Sequence, residues 1–304
     1  MEKISIALDW TPNTNHTGFF VALEKGWYRE KGLEVEIRSP AADNYATTPA
    51  KKVELGQVDL ALCPMESVIS YRTKRRPFDL IAIAALLQED VSAIACPSRT
   101  GIGSPRDLDG KRYASYQARY EDEIVRQMIR NDGGAGNLEI VYPDKLGIWE
   151  TILKGRAEAT WIFLNWEALQ AEAAGVSLQL FKMKDYGIPY SYSPVLAGSA
   201  REIEKRRAVY RRFLSATRTG FHFAGRQPAA AADILAPYVP EGDRNIDLEQ
   251  SQRFLAPFYG NEQTWGRMHA EAVDRFLAWL SERGLELQPL SAAELTMNDL
   301  LPAE

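Results

Sequence analysis

The chain opens on an alternation. Ile4, Ile6 and Leu8 fall on one side and Lys3, Ser5 and Ala7 on the other, the period-two pattern of a half-buried strand. Residues 9–16 break that pattern with short polar groups, and Phe19, Phe20, Val21 and Leu23 restore an apolar face at helical spacing. Gly26 and Gly32 bracket a short amphipathic turn before a strand at 33–37, which completes a strand-helix-strand unit. A helix is expected over 43–55, bent or weakened at Pro49. Strand follows at 58–62 and helix at 68–74. The continuous apolar run at 80–87 reads as a strand covered on both faces.

A second apolar stretch at 91–95 and a glycine-containing loop at 100–110 precede a new alternating set. Its expected strands are 112–115, 138–141, 157–163 and 176–180, and its helices 122–130, one ending near 154, and 166–174. Two such sets point to two α/β domains with helices on both sheet faces. Past Pro194 one strand, 195–198, leads into helical patterns at 203–223, 229–236, 248–258 and 266–280. Too few strands remain there for a third α/β unit. The tail is therefore expected to pack on the first domain, giving lobe I from 1–90 with 195–304 and lobe II from 91–194. Two chain passages, near 88–92 and 188–194, would form a double hinge that limits motion to opening and closing.

At 304 residues, 45% hydrophobic and 25% charged, the chain has the length and composition of a soluble two-domain protein. A net charge of -5 with interspersed signs argues against a nucleic-acid partner. No apolar stretch is long enough for direct membrane insertion. No signal-peptide pattern precedes the first strand, so the expectation is a cytoplasmic protein or a mature domain whose export segment was removed. Cys63 and Cys96 lie in apolar surroundings and are expected to be buried free thiols.

Catalytic chemistry is poorly served. Gly101, Gly103 and Gly110 match neither common phosphate-loop fingerprint, and His16, His222 and His269 have no metal-ligand spacing. No serine occupies a nucleophile elbow. The expectation is a binder with no catalytic set, no metal and no cofactor. Aromatic residues, by contrast, gather near expected strand ends and helix starts: Trp10, Tyr116, Tyr120, Trp149, Trp161, Trp166, Tyr186, Tyr190 and Tyr192. Facing rings would bury the apolar faces of a planar heterocycle and leave its edge to polar partners. Glu66, Glu121, Asn165 and Glu167 are the candidates for that edge, because a carboxylate or amide oxygen accepts N–H bonds from an exocyclic amine. Trp10, Asn13 and His16 join the candidates from the first polar loop, beyond the C-terminal end of a strand. Trp10 plugging a core edge, Asn13 forming a turn or cap, and the acidic residues capping helix starts are the ordinary alternatives.

The run Leu8 to Gly18, LDWTPNTNHTG, followed by Ala22, Gly26 and Lys31-Gly32-Leu33, resembles the opening of the thiamine-pyrimidine-precursor binding proteins. These belong to a larger family shared with alkanesulfonate and taurine binding proteins and with fungal thiamine pyrimidine synthase. The resemblance continues through residues 59–67, 101–110, 161–172 and 194–196 and around Phe254, Tyr259, Trp265, Gly266, Trp279 and Gly284, so it spans nearly the whole chain. It implies a type II periplasmic-binding-protein fold with the ligand between the lobes. It also implies the substrate-binding component of an ABC importer for a formylaminopyrimidine or hydroxymethylpyrimidine, with a permease and an ATPase as partners. The location implied is periplasmic, or extracellular on a membrane anchor. Trp10, Glu66 and Tyr190 fall in matching cleft segments.

The synthase is the enzymatic alternative, and a sulfonate or a riboflavin precursor the alternative ligand. The resemblance places a pyridoxal-phosphate lysine and a consumed histidine where this chain has Cys63 and Ser67. A cysteine cannot form the Schiff base, and a serine cannot donate imidazole atoms.

Overall fold

The opening alternation becomes a strand that buries Ile4 and Ile6. In the computed structural model, which describes residues 1–301, it is the first of ten strands among the described residues. In chain order these are β1 (Glu2–Ala7), β2 (Leu33–Arg38), β3 (Leu60–Cys63), β4 (Leu80–Ala85), β5 (Ser92–Pro97), β6 (Lys111–Ala114), β7 (Leu138–Val141), β8 (Ala159–Phe163), β9 (Leu178–Phe181) and β10 (Val195–Ser199). The chain falls into two units. One comprises Met1–Asp90, Ser191–Leu277 and the segment from Glu286 on; the other comprises Val91–Tyr190 and the short stretch Ala278–Leu285.

The sheet of the first unit has the order β2-β1-β3-β10-β4. β1 is parallel to β2 and β3, with Ile4 opposite Val35 and Ile6 opposite Ile37 and Leu60. β10 enters antiparallel between β3 and β4, setting Val195 against Cys63 on one side and Ala85 on the other. Every residue of β4 is buried, as its unbroken apolar run requires of a strand covered on both faces. The helix Thr17–Glu24 packs on the long helix Arg207–Arg226 at an unusually close crossing. A Cβ placed on Gly220 would lie 1.9 Å from the carbonyl oxygen of Gly18. Rings fill the space around this crossing: Tyr28 stacks on Phe213 at 5.3 Å, and Phe19 meets Phe221 edge-on at 5.3 Å.

Two helical expectations change. Pro49 does not bend a helix; it starts one, Pro49–Glu54, capped by Thr48, whose Oγ1 accepts from the Lys51 amide. At the first helical position a missing N–H costs nothing, and the residue before a proline is pushed to extended geometry, as Thr48 is at ψ 151°. Upstream of it, Asn44 and Tyr45 turn with φ of 49° and 58°. The helical pattern at 203–223 is likewise broken at Arg206 into Ala200–Lys205 and Arg207–Arg226.

The second unit repeats the plan of the first. Its sheet has the order β7-β6-β8-β5-β9, with β6 parallel to β7 and β8 and β5 antiparallel to β8 and β9. The helix Glu121–Asn131 buries Ile124, Val125, Met128 and Ile129 on one face. No helix among the described residues is long and apolar enough to cross a membrane.

Cys63 and Cys96 are both buried and free, as their apolar surroundings predict. Burial pushes the Cys96 thiol up to about 12 and Cys63 further, the latter helped by the carboxylates of Asp9 and Glu66. A thiolate is the reactive form, so a disulfide-exchange reagent such as Ellman's should label neither cysteine at the rate of an exposed thiol in the native protein. Both should titrate once the protein is denatured, which absorbance at 412 nm would record.

Candidate functional site

Because β1, β2 and β3 are parallel, the segments that leave their C-terminal ends gather at one end of the first sheet. β1 runs on through Leu8, whose amide donates to Arg38 O, and delivers Asp9 and the half-buried Trp10. β3 delivers Cys63 and, after Pro64, the helix Met65–Thr73 with the buried Glu66 in its first turn. β2 leads to the turn at Asn44–Tyr45. The Tyr45 ring lies 5.9 Å from that of Trp10, tilted by 51°, and its hydroxyl donates to the carbonyl oxygen of Asp9 at 2.6 Å. Burial raises the Tyr45 phenol well above its ordinary range, and the charge of Asp9 adds to the effect.

The polar loop between β1 and the first helix is internally bonded. Asn13 caps the turn Thr14–His16, its Oδ1 accepting from the Asn15 amide at 2.9 Å and its amide side chain donating to Thr11 O at 3.1 Å. The Asn13 backbone N–H donates to His16 Nδ1 at 3.2 Å. That bond leaves the ring hydrogen on Nε2, which donates to Asp9 Oδ1 at 2.8 Å. Thr14 Oγ1 meets Ser251 Oγ at 2.6 Å, and the Tyr259 hydroxyl donates to Thr14 O. Asn13 and His16, candidates for ligand contact from the sequence, are thus buried in bonds that shape the loop; His16 has no exposed surface.

In the second unit the same logic gathers the segments after β6, β7 and β8. After β6 come Tyr116, half-buried, and Tyr120, buried with the Arg119 guanidinium 5.0 Å from its ring. Tyr116 packs on Ala114, Ile148, Ile152 and Ala157 beside Trp149. Glu121 holds this loop. Its Oε1 accepts from the Tyr113 hydroxyl at 2.8 Å and the Tyr116 amide at 3.1 Å, and its Oε2 accepts from the Ala118 amide at 3.2 Å. Burial lifts the Glu121 carboxyl above the usual range.

Replacing Glu121 by alanine would strand those three donors, each at about 1–3 kcal/mol if buried without a partner. A clear fall in melting temperature is expected by calorimetry, with no such fall for the exposed Glu150.

After β8, Asn165, Trp166 and Glu167 are all buried. Glu167 Oε2 accepts from the Phe163 amide at 2.9 Å, while the Trp166 indole N–H finds no acceptor among the described residues. Trp161, on β8, tilts against Tyr190 with ring centroids 4.9 Å apart. Tyr45, Asp9 and Lys145 escaped the sequence reading. Burial lowers the ammonium pKa of Lys145 against the pull of the Glu121 carboxylate. Each unit therefore carries a tilted aromatic pair and buried polar side chains at the ends of parallel strands. No group of three or more His, Cys, Asp or Glu suited to a metal occurs among the described residues.

The family described as NMT1/THI5 like matches residues 13–231. The chain belongs to that family. Within it, the chain is 25% identical to the formylaminopyrimidine-binding protein of Halalkalibacterium halodurans over 301 residues, 97% of this chain and 89% of that one. It is 31% identical over 285 residues to the 4-amino-5-hydroxymethyl-2-methylpyrimidine phosphate synthase THI12 of Saccharomyces cerevisiae, covering 88% of this chain and 81% of that one. Among solved structures, the alkanesulfonate-binding protein SsuA of Xanthomonas axonopodis pv. citri, bound to MOPS, superposes with a TM-score of 0.74 at 13% identity, over 98% of this chain and 99% of that one. The fold of this NMT1/THI5-like chain is the type II periplasmic-binding-protein fold, as the sequence resemblance implies.

Proposed function

We propose that this chain is the substrate-binding component of an ABC importer for a thiamin pyrimidine precursor of the formylaminopyrimidine or hydroxymethylpyrimidine type. The observation that carries the reading is the Trp10–Tyr45 ring pair at the end of β1, in a chain that aligns over 97% of its length with a formylaminopyrimidine-binding protein. A flat heterocycle laid on such rings buries its faces and exposes only its edge nitrogens to polar groups. In this reading Trp10, beside Tyr45, stacks on the ligand at the end of β1. Glu66, buried in the first turn of the helix after β3, bonds to the edge.

The protein acts as a carrier and not as a catalyst in this account. Cys63 holds a buried protonated thiol where the synthases of the resemblance carry a lysine, so no cofactor is assigned. A membrane permease and its ATPase are the partners, and the working location is outside the cytoplasmic membrane.

Calorimetry against formylated, free-amine and hydroxymethyl aminopyrimidines, an alkanesulfonate and riboflavin would test the reading. An aminopyrimidine is expected to bind with at least tenfold preference, about 1.4 kcal/mol; a preference for the sulfonate or the flavin would overturn it. Incubation with pyridoxal phosphate is expected to give no internal-aldimine absorbance band. Such a band with pyrimidine production would reassign the chain to the synthases.

A further inference from the structure

We propose that Asp9 is the specificity-determining acceptor for the exocyclic amino group of the ligand, and that His16 and Tyr45 are positioning residues that aim it. The inference rests on the aminopyrimidine reading above and names the group that recognises the amine.

Asp9 lies two residues past the end of β1 and directly precedes Trp10, and the same Tyr45 that bonds its main-chain oxygen sets its ring 5.9 Å from the Trp10 ring. The protein fixes this residue twice. His16 Nε2 donates to Oδ1 at 2.8 Å, and the Tyr45 hydroxyl donates to the main-chain oxygen at 2.6 Å. Neither anchor is made cheaply. His16 is wholly buried and is itself oriented by the Asn13 amide on Nδ1, while Tyr45 sits at φ 58°, a left-handed conformation that an aromatic residue adopts only under constraint. A buried imidazole with both nitrogens engaged cannot touch a ligand, so its outward effect is to orient the carboxylate.

Asp9 keeps 17% of its side chain exposed, and no protein donor among the described residues bonds its Oδ2. One oxygen is thus tied back and the other can accept. Glu121 and Glu167, the acidic candidates named from the sequence in the second unit, accept instead from amides of their own loops. An oriented carboxylate beside a stacking ring selects an amino group over a hydrogen or methyl at the same place, because a charged acceptor discriminates more strongly than a neutral one.

The test compares calorimetric affinities of the full chain for 4-amino-5-hydroxymethyl-2-methylpyrimidine and for the same pyrimidine without the 4-amino group. Wild type should prefer the amino compound by roughly 10- to 100-fold. D9N keeps the shape but can turn an N–H toward the ligand; its preference should fall below about threefold, with affinity for the desamino compound unchanged. Y45F, which removes only the hydroxyl, should lose part of the preference and likewise spare the desamino compound.

Full wild-type discrimination in D9N, or equal weakening of both compounds, would overturn the assignment. Should D9N fail to fold, undiminished discrimination in Y45F would overturn it. A wild type that binds neither pyrimidine defeats the aminopyrimidine reading and this inference together, whereas discrimination that survives D9N defeats this inference alone.

Discussion

Alanine at Trp10 should raise the dissociation constant for the aminopyrimidine by about 5- to 150-fold, the 1–3 kcal/mol typical of one lost stacking contact on a base. The loss should be local. Trp10 is half-buried and meets Tyr45 in a tilted ring contact at 5.9 Å. Tyr45 is held separately, through its hydroxyl on Asp9 O, so the turn that carries it should survive. Phenylalanine at Trp10 keeps a ring face and should recover most of the affinity. Calorimetry on wild type, W10A and W10F would decide: equal affinities for wild type and W10A would remove the first strand end from the binding site.

A single methyl group at Gly220 should do the greatest damage to stability. Glycine to alanine within a helix ordinarily gains about 1 kcal/mol from propensity. Here the new Cβ would stand 1.9 Å from Gly18 O and 2.9 Å from Gly18 C, and backbone cannot swing aside as a long side chain can. Relief requires parting Thr17–Glu24 from Arg207–Arg226, which loosens Phe19, Phe213 and Phe221 between them. Overpacking of this kind costs about 3 kcal/mol, so it overrides the propensity gain. G220A should melt several degrees below wild type by scanning calorimetry; an unchanged or higher melting temperature would refute the crossing. The helix at risk begins directly after His16, so ligand affinity should fall with stability.

The elements were legible where the pattern was regular. β1 showed itself through Ile4 and Ile6, and β4 through its unbroken run, because a sheet face imposes its period on the chain. The turn at Asn44–Tyr45 was not legible. Left-handed backbone is usually advertised by glycine, and here an asparagine and a tyrosine adopt it, in a stretch whose composition resembled helix. Residue types were easier to read than residue roles. Asn13 and His16 stood out as polar groups beyond a strand, but that their bonds turn inward depends on the loop closing on itself. Glu121 and Glu167 sit at helix starts, where the capping alternative was already in view, and both accept from nearby amides. Asp9 gave no sign of its importance, since only the folded loop brings His16 and Tyr45 onto it.

β10 sets an order of assembly. It separates β3 from β4, so when the ribosome has released the first 90 residues those two strands have no partner in each other and the sheet lacks its middle. Roughly a hundred more residues must emerge before the gap is filled, and strands β5 to β9 are all available to pair in the meantime. A fragment that stops before Val195 would therefore expose two raw β edges, the surface on which chains stick to one another. Expression trials should keep the returning strand in every truncation.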